Sequence, residues 1–494
     1  MRVEAYMFLV GVAAMAGCSG GTRSTSSNGA NDSVGAAAAQ MNDLSVLLPL
    51  AQTSSDMGAY LTARSKTAGG DLMPLALFDS VTGQKGTSQT SGPLRPGASP
   101  TLVYEDMRAV GFRLDPCFAN LGPVVNESGC LNQIRVIFQS LTFSNGSATA
   151  VDGAVHVFYS LTRPQFVSAV NEVIAARQAS DPTSSDLGPL AIHPLVAQQG
   201  LGGNMAKALN AIVLKYADSA SIVRLTTFLA GNLDTVWHFS GVDVASGHTT
   251  PMDIASLPSA TTDESFVLGF GALLSQGTFT PPTTSSDNMQ LLTNSTAAMA
   301  ASTSAQQAAY TAALRVQNPG FDSPNTIDCA SCHTAQFAQV FVGEGMLGMS
   351  ASGNASAFQF NPTFVTAADA VQTTPVTSST SFNVHSFSYS GTNAMINQRV
   401  INETEALLAY VNGQILANGG SPTTSDSGSS GNSPQTAVDA SEDGGVASSD
   451  SAAPSPAPGG GDMDGGGAST DGGAEGEGGA ASEEDGGSGT PDGS

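Results

Sequence analysis

The stretch Ile134-Arg135-Val136-Ile137-Phe138-Gln139 sets Ile134, Val136 and Phe138 in alternation with Arg135 and Gln139. Successive side chains of a strand point to opposite faces, so this spacing predicts a strand with one apolar row. Asn145-Gly146 follows Phe143 closely, and that dipeptide accepts the positive φ angles of a tight hairpin. A second strand is read over Ala154 to Leu161, after which the period changes. Thr162 reads as an N-cap with Gln165 three residues on, and Phe166, Val167, Val170, Val173 and Ile174 recur at helical spacing. Met205, Leu209, Ile212, Val213 and Tyr216 mark another helix, and Ile222 to Ala230 and Leu233 to Val244 read as strands joined by Gly231-Asn232. Antiparallel strand pairs with helices packed on one side predict an α+β domain over residues 43–275.

Chemistry concentrates beyond that domain, in Cys329-Ala330-Ser331-Cys332-His333. On one helical turn, positions three apart share a face. Both sulfurs therefore reach one edge of a haem, while the histidine swings onto the iron. A redox-active Cys-x-x-Cys pair and half of a zinc site are the other chemistries open to this spacing.

The Cys-x-x-Cys-His motif resembles that of the c-type cytochromes, over roughly residues 319–417. The resemblance implies a small all-α haem domain, one haem c held covalently by Cys329 and Cys332, and His333 as an axial iron ligand. In members of this size the other axial ligand is usually a methionine ahead of the last helix. Met395 stands in that place, 62 residues past His333, with His385, Met346 and Met349 as alternatives. Asn402 reads as the cap of the last helix, with Leu407, Leu408, Val411 and Ile415 on its apolar stripe. Phe337, Val340 and Phe341 are candidates for the porphyrin wall and equally for ordinary core.

Composition limits the remaining possibilities. The chain has 494 residues and a formal charge of -25. No Lys or Arg follows Arg399, whereas fourteen acidic residues lie between Asp426 and Asp492. Nucleic-acid binding needs basic groups to neutralise phosphates, so no nucleic-acid partner is assigned. Residues 418–494, rich in Gly, Ser and Asp, are expected to be a disordered acidic tail. The apolar run Ala5 to Ala16 reads as part of a signal peptide over 1–17. Met15-Ala16-Gly17-Cys18 resembles a lipobox, which implies lipid on Cys18 and a flexible tether over 18–42. Cys117 and Cys130 remain as a disulfide pair for an oxidising compartment. Residues 276–318 read as a linker and a bridging helix.

His156, His193, His238 and His248 show no metal-ligand spacing, and no nucleophile elbow, P-loop or dinucleotide pattern appears. Lone histidines of this kind read as structural. The sequence therefore points to an electron-transfer lipoprotein of the bacterial cell envelope, lipid-anchored on the periplasmic or surface side of the outer membrane. It would work with a redox partner in the envelope. A ligand-binding or redox-sensing lipoprotein, and a mono-haem peroxidase-like enzyme, are the competing readings.

Overall fold

Buried backbone groups need partners, and the alternating stretches find them by pairing side by side. The computed structural model describes residues 38–83, 87–88, 92–93, 102–115, 132–181, 186–230, 236–254, 257–262, 264–269, 272–276, 291–292, 295–322, 327–360 and 385–417. After helix α1 (Met41–Leu44), eight strands pair in chain order: β1 (Ser45–Leu47), β2 (Met107–Asp115), β3 (Asn132–Ser144), β4 (Gly153–Leu161), β5 (Ile222–Ala230), β6 (Val236–Ala245), β7 (Glu264–Gly269) and β8 (Ala272–Gln276). Every neighbour is antiparallel. Short strands Ser147–Ala150 and His248–Pro251 fold back as partners of β3 and β6. The first of these hairpins turns at Asn145 and Gly146, whose φ angles of 53° and 86° match that dipeptide's preference.

Register makes the two faces of the sheet unlike. Val46, Phe112, Val136, Val157, Leu225 and Val242 form an apolar row across six strands. One step along, and so on the other face, Ser45, Arg113, Arg135, Arg224 and Asp243 form a polar row interrupted only by Phe158, whose ring lies under the Arg135 guanidinium. Between β4 and β5 the chain inserts α2 (Arg163–Ser180) and α3 (Asn204–Tyr216), which pack together and against β3 to cover the apolar face. A capping box starts α2: the Thr162 hydroxyl accepts from the Gln165 N–H, and the Gln165 side chain accepts from the Thr162 N–H at 2.8 Å. The helices and antiparallel sheet of the expected α+β class are therefore present.

Later elements lie over the charged face. These are α4 (Thr303–Val316), α5 (Cys329–Phe337), the hairpin of β9 (Phe387–Ser390) and β10 (Asn393–Ile396), and α6 (Gln398–Tyr410). Wider π-helical turns continue α5 over Ala338–Met346 and α6 over Val411–Leu416. Gly343, in the first of these, lies against Tyr310 of α4: a Cβ there would stand 2.4 Å from the ring. The cap of α6 is Asn397, whose Oδ1 accepts from the Val400 N–H at 2.9 Å, and not Asn402. Asn402 lies inside the helix and donates from Nδ2 to the Gln317 carbonyl at 2.8 Å. Val400, Ile401 and Thr404 supply buried positions ahead of the stripe visible in sequence, so the helix begins a turn earlier.

All described residues belong to one compact unit. The Gln139 side chain donates to the Tyr389 carbonyl at 2.9 Å and accepts from the Tyr389 N–H at 2.8 Å. The Tyr389 hydroxyl donates to the Leu48 carbonyl at 2.6 Å. Segments 43–275 and 319–417 thus share a core, and the second contains a hairpin among its helices. Among the described residues, no helix is long and apolar enough to cross a membrane.

Candidate functional site

Helix α5 opens on the Cys-x-x-Cys-His motif because Asp328 caps it, accepting from the Ser331 N–H at 2.8 Å. Thr334 donates its hydroxyl to the Ala330 carbonyl at 2.8 Å, tying down the same turn. Cys329 and Cys332 are half-buried, His333 is buried, and all three line one cavity. The His333 ring lies against Phe239 and Phe228 of the sheet, with centroids 4.9 and 5.4 Å away. About 600 Å³ of empty space lies in this cavity, counting the part open to solvent.

The facing wall is the charged row. Arg113 stands directly opposite Arg135, a pairing that costs energy unless countered. Asp115 counters it, 2.9 Å from Arg135 and 3.6 Å from Arg113. Glu403 of α6 accepts from Arg113 at 2.9 Å and from Arg399 at 2.7 Å. Three guanidiniums therefore share two carboxylates in a continuous buried network, one positive charge in excess within the network itself, while Asp328 adds a carboxylate to the cavity lining on the motif side. Burial alone would raise the Glu403 carboxyl, but Arg399, Arg113 and Arg135 outweigh it and hold it at about 2. Burial lowers Arg135, whose Nε has no hydrogen-bond partner. The excess charge suits acidic groups of a ligand.

His156 and Met252 complete this side. Thr226 is the cross-strand partner of His156 and in turn pairs with Gly241, which puts His156 on the cavity face. Its Nε2 is buried with no hydrogen-bond partner. Burial, and then the charges of Arg135, His333 and Arg113, hold this imidazole well below its ordinary range, so it is neutral.

Of the residues singled out in the sequence, Cys329, Cys332 and His333 come together here. Met395 does not line the cavity; it sits half-buried in β10, opposite Ser388. Met346 is exposed and Met349 half-buried, both away from the wall. His385 is buried, with its Nε2 2.5 Å from Asp152 Oδ1 and its ring edge-on to Phe228 at 5.1 Å. Phe228 thus touches both His333 and His385. Phe337 stacks on Phe341 at 5.0 Å as core, not cavity wall. Cys18, Cys117 and Cys130, the signal, the tether up to residue 37 and the acidic tail lie outside the described residues, whereas the last residues read as tether are packed: Ala39, Met41 and Asn42 are buried, and Met41 opens α1.

Burial pushes the Cys332 thiol up to about 11 despite the pull of Arg399, so it is protonated at neutral pH, unlike the thiolate of a redox-active pair. Among the described residues, no group of three or more His, Cys, Asp and Glu side chains is arranged to hold a metal ion by itself. Sequence reasoning missed Arg113, Arg135, Arg399 and Glu403. The available signal was Arg135 inside an otherwise apolar strand, and Arg399 and Glu403 four apart on the last helix. Compared with protein-family models, with curated proteins and with solved structures, the chain matches none.

Proposed function

We propose that the chain is a haem-binding electron-transfer lipoprotein of the bacterial cell envelope, similar to the c-type cytochromes. The observation that carries this reading is the shared cavity: both thiols and the imidazole of the motif open onto a space whose far wall holds excess positive charge. These residues fit the group. Cys329 and Cys332 would hold the porphyrin through thioether bonds, His333 would take the iron, and Arg113 and Arg135 would meet its acidic side chains. Haem bound there supplies one-electron redox chemistry. The chain's own part is to exclude water with Phe228, Phe239 and Val400, and to keep compensating charge in place around the site. In this reading α4, α5 and α6 are the cytochrome-like part of the fold, built onto the sheet.

Cys18 would carry the lipid that anchors the chain to the membrane, Cys117 and Cys130 would be bridged, and an envelope protein would exchange electrons with the haem. Several acyl chains together anchor stably where one does not. Cys18→Ser should therefore release the protein from the membrane fraction; a variant that stays bound sinks the anchor.

Haem attachment has a direct test. Protein matured in a periplasm with haem-attachment machinery should keep its chromophore through denaturing electrophoresis, and Cys329→Ser with Cys332→Ser should abolish that staining. A colourless wild-type protein carrying zinc would overturn the reading.

A further inference from the structure

The geometry points to His156 as the second side chain that would hold the haem iron, together with His333 from the same cavity; this rests on the haem reading above. Each buried polar atom without a partner calls for a physical reason, because it has lost its hydrogen bonds to water and gained none in the fold. His156 is 8% exposed, lines the cavity that holds the motif, and its Nε2 has no hydrogen-bond partner. An iron ligand would satisfy that nitrogen. The other histidines differ in place: His193 also has a buried Nε2 without a partner, but it lies off the cavity wall and caps a helix through Nδ1, which accepts from the Val196 N–H at 3.4 Å, and His385 is engaged by Asp152.

Position adds to this. His156 belongs to β4, a central strand flanked by β3 and β5, where its backbone is paired on both sides. A ligand on such a strand is held more rigidly than one on a loop. Two methionines compete. Met395 lies off the cavity wall. Met252 lines it, but packs its methyl group against Gly241, where a Cβ would stand 3.2 Å from Cε. It is thereby placed as a packing group in that corner. Ligation by two histidines keeps both axial positions filled, and without a methionine the haem takes a lower potential. The cavity would then favour electron donation to acceptors over oxygen or peroxide chemistry at the metal.

The test uses the full haem-loaded chain, with covalent haem staining and far-ultraviolet circular dichroism scored beside the spectra. Wild type should be low-spin in both oxidation states, without the near-infrared band of a methionine sulfur on ferric iron. His156→Ala should keep the stain, lose the low-spin spectrum, bind carbon monoxide, and regain low-spin character with added imidazole. His156→Met, which refills the space, should stay low-spin but acquire the methionine band. A wild type already high-spin overturns the assignment. So does a wild-type methionine band that disappears in Met252→Ala or Met395→Ala while His156→Ala is unchanged. Protein without stainable haem overturns the proposed function instead, and this assignment with it.

Discussion

Arg113 is 1% exposed and directly opposite another arginine, a placement that makes sense only through its neighbours. Buried ion pairs add little to stability beyond what packed apolar residues would give, yet removing one partner is costly because the other charge is left uncompensated. Glu403 holds two guanidiniums, so Glu403→Gln should destabilise the fold by about 3–5 kcal/mol, read as a lowered denaturant midpoint. The sign of the pH effect follows from its carboxyl, held near 2 against an ordinary 4.5. The unfolded chain takes up this proton first. The contribution, on the order of 3 kcal/mol, is therefore complete above about pH 4.5 and is lost as pH falls toward 2. A Glu403→Gln variant should show a flatter stability profile across that window, and a profile parallel to wild type would contradict the assignment. Only fragments of this network were legible in the chain: Arg135 within an apolar strand, and Arg399 and Glu403 four apart. Arg113 and Glu403 are 290 positions apart, and only the folded register brings them together. His156 was hidden for the same reason, since a lone histidine in an apolar strand reads as structural until its row is known.

Elements were more legible than their assembly. The alternation at Ile134 to Phe138, the Asn145-Gly146 turn and the Thr162/Gln165 capping box depend on neighbours within a few residues, and each appears where its local chemistry puts it. The last helix was misplaced at its start because Asn402 and Asn397 are both good caps, and burial of Val400 and Ile401 decided between them. At the motif helix the cap is testable. Asp328→Ala should cost about 1 kcal/mol, and Asp328→Asn should recover most of it, as measured by urea unfolding. If both variants match wild type, the cap does not hold the motif turn. Gly343 tests how α4 meets the π-helical extension of α5: Gly343→Ala pushes a methyl group toward the Tyr310 ring and should cost about 1–3 kcal/mol as overpacking.

At the scale of the molecule, the sequence divides into segments, whereas the folded chain joins them through buried polar contacts. Ser45 meets Thr404 at 2.8 Å, Arg113 meets Glu403, and Gln139 meets the Tyr389 backbone. Each of these groups lies on the sheet or the later helices and hairpin, and each would be an unsatisfied buried group if the two sides separated. Such coupling predicts a single cooperative transition. Trp237, the chain's one tryptophan, is buried in β6 and reports on the sheet, whereas far-ultraviolet circular dichroism also follows the helices. Heating the full chain should give coincident curves by both probes. Ending the chain after residue 360 removes the hairpin and α6, which strips Arg113 of Glu403 and leaves the Gln139 amide without Tyr389. The truncated chain should lose the cooperative tryptophan transition as well as helical signal, although every strand from β1 to β8 is intact. A truncated protein whose tryptophan still melts sharply at the full-length temperature would show that the sheet stands alone, and that the cavity forms where two independent folds meet.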